Sequence, residues 1–150
     1  MKNNNLTAEI QAYNGEINLW VLIFGAESVI LIKKGFFMCS KATLNEITKK
    51  VCLSAKDVLG DKLEKVYLFG SYARGDYDEE SDIDIMVLAD ILPEDAYKTR
   101  RKIRNHTGDL GLEYDVVTSI RIVCSDNFRE YVKVLPLYMN VQREGVELYA

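Results

Sequence analysis

Two aspartates one residue apart, Asp82 and Asp84, stand in the run Asp-Ile-Asp-Ile-Met-Val-Leu. Ten residues separate them from a Gly70-Ser71 pair that closes another apolar run, Val-Tyr-Leu-Phe. Side chains alternate faces in a strand, so both carboxylates project together while Ile83, Ile85 and Val87 point to the opposite, buried face. Like charges so placed repel each other. A hard divalent cation removes that cost, and Mg²⁺ prefers such oxygen ligands. Two such ions can clamp the attacking and leaving oxygens of a phosphoryl displacement.

The Gly-Ser pair supplies the complementary half of that chemistry. Gly70 lets the backbone turn sharply and approach a ligand closely. Ser71 is placed to cap a short helix through Tyr72, Ala73 and Arg74, whose unpaired amides would meet phosphate oxygens. Arg74 could add a charge-assisted contact to a triphosphate. Asp-x-Asp alone occurs often by chance; Gly-Ser, Ala-Arg-Gly, Ser81-Asp-x-Asp and a later strand aspartate coincide far less readily.

A third carboxylate is sought in Leu112-Glu-Tyr-Asp-Val-Val-Thr-Ser-Ile120, which reads as a strand with Glu113 and Asp115 on one face. Asp115 is preferred because the longer apolar run follows it, with Glu113 the alternative.

These residues need elements to hold them. Leu44, Ile47, Val51, Ala55, Val58 and Leu59 have helical spacing, predicting a helix over 41–59 that ends at Gly60-Asp61. Strands are predicted at about 65–69 and 82–89. Pro93 can open a helix that continues through the basic run to Arg104 and ends at Gly108 and Gly111. Ser125 can cap a helix through Val132, and 135–144 reads as a last helix. The basic run 98–104 is read first as a solvated helix face, and second as a group that greets a triphosphate or an acidic partner surface.

The composition bounds the rest. One hundred and fifty residues, 48% of them hydrophobic, fit one domain with a real core. The net charge of −4 disfavours nucleic acid as a partner. Cys39, Cys52 and Cys124 form no Cys-x-x-Cys motif, and a reduced cytoplasmic protein is the simplest account. His106 is the only histidine, which argues against histidine-based metal or triad chemistry. Residues 1–37 stand apart. Their two apolar runs flank Gly25-Ala-Glu-Ser28 and admit a β-hairpin. Interruption by Glu27 leaves them short of the ~20 residues a membrane span needs. Lys33-Lys-Gly-Phe-Phe-Met38 also reads as a translated ribosome-binding site, with Met38 then the natural start. The division expected is an extension over 1–37 and a domain over 38–150.

Gly70-Ser71, the ten-residue gap and Asp82-Ile-Asp84 resemble the signature of the DNA polymerase β nucleotidyltransferase superfamily. The fuller string Gly-Ser-Tyr-Ala-Arg-Gly…Ser-Asp-Ile-Asp looks like its minimal nucleotidyltransferase branch, and the resemblance extends over about 38–150. It implies an α/β (α+β) fold, a mixed central sheet with helices packed on it. It implies nucleotide binding at Gly70, Ser71, Arg74 and Ser81, and Mg²⁺ ions, two of them, on Asp82, Asp84 and Asp115, with ATP as substrate. Members of this branch in toxin–antitoxin pairs transfer AMP to a tyrosine of a HEPN-domain ribonuclease, so a HEPN partner is implied here, in a homo- or hetero-oligomer. Two other functions fit the residues: an antitoxin that acts by binding alone, and nucleotidyl transfer to a small molecule such as an aminoglycoside.

Overall fold

The computed structural model describes residues 22–24, 27–29, 39–78 and 80–149. The chain divides into two compact units, Met1–Phe37 and Met38–Ala150. In the first, β1 (Leu22–Phe24) and β2 (Glu27–Val29) pair antiparallel, Phe24 opposite Glu27. A start at Met38 concerns residues outside those described.

The second unit begins with α1 (Lys41–Leu59), where Ser40 Oγ accepts from the Thr43 amide at 3.1 Å. The chain continues through β3 (Leu63–Phe69), α2 (Ser71–Arg74) and β4 (Ile83–Ala89). A 3₁₀ turn at Pro93–Asp95 leads into α3 (Ala96–Thr107), followed by α4 (Leu110–Tyr114) and β5 (Thr118–Cys124). The chain closes with α5 (Ser125–Tyr131), α6 (Pro136–Glu144) and β6 (Val146–Tyr149).

Four strands form one mixed sheet in the order β5-β4-β3-β6, antiparallel except for the β4–β5 pair. The parallel pair needs a long crossover, which α3 and α4 supply. Alternation along the strands gives the sheet two buried faces. One carries Val66, Leu68, Ile83, Ile85, Val87 and Ile120, packed with Ile47, Val51 and Ala55 of α1 and Ile103 of α3. The other carries Phe69, Met86 and Leu88, packed with Phe128, Val132 and Val141 from the α5–α6 side. Ile83, Ile85 and Val87 are wholly buried, as their spacing predicts. This is the mixed α/β architecture expected.

The segment 112–120 differs from expectation. It is not one strand. Asp109 Oδ1 accepts from the Leu112 amide at 3.1 Å and starts α4, which contains Gly111 and Glu113. Asp115 ends that helix in the left-handed region, with φ 53°. Helix and left-handed turn break the alternation, so Glu113 and Asp115 do not share a strand face. The strand begins only at Thr118 and runs on to Cys124. The cap at Asp109 is the signal that outweighs the apolar run. β6, which the sequence reading did not anticipate, pairs antiparallel with β3.

Candidate active site

The site is built where β3 ends and β4 begins. Antiparallel pairing sets Phe69 opposite Asp84, which brings the following residue, Gly70, against the acid. A Cβ at position 70 would lie 2.7 Å from Asp84 Oδ2, well inside contact distance. Gly70 also has φ 74° and ψ −154°, a region that side chains make costly. Backbone and carboxylate therefore meet as closely as glycine alone permits.

Gly70, not Ser71, is the N-cap of α2, and no side chain caps that helix. Ser71 is its first residue. Its amide and those of Tyr72 and Ala73 lie in the first turn, where a helix provides no internal acceptor. The short helix is closed by Arg74 N–H to the Gly70 carbonyl at 3.2 Å and Gly75 N–H to the Ser71 carbonyl at 2.8 Å. Tyr72 is buried beneath it, stacked on Tyr77 with ring centroids 4.2 Å apart.

Asp84 is half-buried and Asp82 is exposed. Burial holds the Asp84 carboxyl above the usual carboxylate range, and the charge of Asp82 pushes the same way. Two groups from β5 oppose them. Ser119 lies directly across the parallel ladder from Asp84, and its hydroxyl favours the ionised carboxylate. Arg121, two residues on and on the same face, adds positive charge. Neither role is legible in the sequence, because β5 begins only at Thr118 and its register with β4 is a tertiary property.

The remaining expected residues have other partners. Arg74 pairs with Asp76 at 3.1 Å and stands 3.9 Å from Glu144. The Ser81 hydroxyl donates to Asp78 Oδ1 at 2.8 Å and accepts from the Asp78 amide at 2.9 Å, pinning the loop before β4. Glu113 is ion-paired with Lys50, outside the site. Asp115 lies in the turn leading to β5; nearby, Ile83 N–H donates to the Val117 carbonyl at 2.9 Å. Among the described residues, no three acidic, histidine or cysteine side chains stand close enough together to hold one metal ion. The structure thus joins Asp84 with Gly70 and places Asp82 beside them, without assembling the expected trio. Two acids nonetheless suit Mg²⁺, which commonly takes one or two carboxylates and completes its shell from substrate phosphates and water.

A glycine turn that opens a short helix, set against Asp84 of β4 with Asp82 just before it, defines a protein built to handle nucleotide phosphates. The nucleotidyltransferase-domain family matches residues 46–138, and the chain belongs to it. Two relatives from Methanocaldococcus jannaschii bear the name protein adenylyltransferase. One is 45% identical over 74 residues, covering 49% of this chain and 73% of its own. The other is 35% identical over 88 residues, covering 59% and 80%. Among solved structures, one described as a nucleotidyltransferase from Sulfolobus solfataricus has a TM-score of 0.47 at 19% identity, over 77% of this chain and 91% of that one. A toxin–antitoxin structure with AMP-PNP has a TM-score of 0.44 at 23% identity, over 69% and 73%. Likeness at that level adds nothing to the family assignment. Among the described residues, no helix is long and apolar enough to cross a membrane.

Proposed function

We propose that this nucleotidyltransferase moves AMP from ATP to a hydroxyl of a protein acceptor, in a Mg²⁺-dependent reaction. The acceptor proposed is a tyrosine of a HEPN-domain partner, as the resemblance implies. The close approach of Gly70 to Asp84 carries this reading, because it sets a phosphate-binding turn against a cation-binding carboxylate.

In the reaction the acceptor oxygen bonds to the α-phosphorus while the bond from that phosphorus to the bridging oxygen breaks. Pyrophosphate leaves, and the hydroxyl proton passes to a base. The amides of Ser71, Tyr72 and Ala73 would bind phosphate oxygens, with the Ser71 hydroxyl beside them. Asp82 and Asp84 would hold Mg²⁺, which when bound neutralises phosphate charge. Ser119 and Arg121 would keep Asp84 ionised and oriented. Asp115 is assigned to the acceptor side, positioning or deprotonating the attacking hydroxyl. Such a site works by orientation and charge stabilisation, with little covalent chemistry of its own.

The test is transfer of label from α-labelled ATP to a co-expressed HEPN-domain protein, followed by mass spectrometry for AMP on tyrosine. Labelled tyrosine is expected. Absence of AMP on any residue of that protein, with active enzyme and Mg²⁺ present, would overturn the reading.

A further inference from the structure

A second feature lies one strand away from the acids. One side of α3, the turn into α4 and the start of β5 line a cavity of about 560 Å³. Arg100, Arg101 and Arg104 line it, with Tyr97, Asn105 and Thr118. Thr118 pairs with Ile83 and Ile120 with Ile85, so the two β5 residues that line the cavity share the sheet face opposite to the one that carries Asp84. Neither Asp82, Asp84, Gly70 nor Ser71 lines it.

The three arginines differ from others on this surface. Arg74, Arg129 and Arg143 each have a carboxylate within ion-pair distance. Among the described residues, Arg100, Arg101 and Arg104 have none, although the chain is acidic overall. Arg100 instead lies 5.6 Å from the centroid of the exposed Tyr97 ring. One acid, Asp109, lines the cavity, and its Oδ1 is engaged in capping α4. Three unneutralised guanidiniums held together repel one another unless an anion joins them. Guanidinium forks match carboxylates in bidentate geometry. Among the described residues β5 has no strand on its outer side, and such an edge offers backbone groups to an extended chain.

We propose that this groove docks an acidic, extended segment of the protein acceptor, holding it on the sheet from the side opposite to the acids. The proposal rests on the reading of a protein acceptor above. The edge of β5 favours an extended peptide over a polyphosphate, because only a peptide has backbone groups to pair with it.

A fluorescein-labelled hexaglutamate peptide provides the probe, read by anisotropy at low salt against the full chain, without ATP. Saturable binding is expected for the unaltered protein. Arg101→Gln with Arg104→Gln should weaken it about tenfold or more, and Arg101→Glu with Arg104→Glu should remove it. If the Glu pair lowers the melting temperature, the Gln pair decides. No saturable binding, equal binding by the variants, or tighter binding of hexathymidylate through the same arginines overturns the proposal. Because ATP is absent, failure of AMP transfer leaves this result standing. Conversely, an unchanged KM for a protein acceptor in the Gln pair would sink the docking role and leave the transferase reading intact.

Discussion

Gly70 and Asp84 meet so closely that a single methyl group at position 70 would strike the carboxylate, its Cβ 2.7 Å from Oδ2. The contact arises from antiparallel register, Phe69 opposite Asp84, and from a backbone turn at φ 74°. Fold and site share this one point, so it is the first to test.

Gly70→Ala should harm both. The backbone region costs about 1–3 kcal/mol for a residue with a side chain, and the clash displaces Asp84. A misplacement of about 1 Å can cost on the order of 10²-fold in rate. Thermal unfolding and AMP transfer should both show the loss. An alanine variant of unchanged activity would mean that the turn and the acid do not act together.

Asp82→Asn with Asp84→Asn should abolish transfer from α-labelled ATP while the protein stays folded. The two changes remove the carboxylate pair but keep its volume. Retained labelling of the acceptor would remove the cation role from these residues.

Asp84→Asn alone carries a stability signature. Burial raises the folded pKa of Asp84 above its ordinary value. Its contribution to stability is therefore complete below the ordinary carboxylate pKa and is lost as pH rises through the folded value. At neutral pH, without divalent metal, the ionised carboxylate opposes folding, and asparagine does not carry that charge. The variant should then melt no lower than the unaltered protein, and Mg²⁺ should stabilise only the latter. A lower melting temperature for the variant in metal-free buffer at pH 7 would contradict the assignment of burial as the dominant effect.

Ser119→Ala should raise the Mg²⁺ concentration needed for half-maximal transfer by roughly 10–100-fold, the usual effect of losing a group that orients a metal ligand. Ser119→Thr should restore it, since the hydroxyl returns. A magnesium titration of the three proteins separates this from a packing defect, which excess Mg²⁺ would not correct.

Asp115→Asn and Glu113→Gln distinguish the two candidates for a third acid. Loss of the first should lower kcat without changing the Mg²⁺ requirement, because Asp115 is not gathered with the acid pair. Glu113 is exposed and ion-paired with Lys50, so its replacement should leave transfer and melting temperature nearly unchanged. Steady-state kinetics over a range of Mg²⁺ would decide.

Much of the fold could be read from local pattern. The helix over 41–59 and the two strands beside the Gly-Ser turn follow from periodicities of 3.6 and 2 residues. The stretch 112–120 misled because a five-residue helix and a strand-like alternation are hard to tell apart at that length, and the Asp109 cap decided between them. Arg74 and Ser81 matched a motif, yet nearby carboxylates claim both, Asp76 for one and Asp78 for the other.

The sequence by itself determined that Asp84 stands on a strand, with Asp82 just before it, after a glycine turn. Alternation and glycine's freedom are local and need no partner. Only the tertiary structure decided which way the turn faces the acid, that Ser119 and Arg121 attend Asp84, and that three arginines of α3 line one cavity. Those relationships depend on strand register and on the path of the α3–α4 crossover, which pair residues some 35 positions apart, Asp84 with Ser119. Local propensity carries no information over that separation.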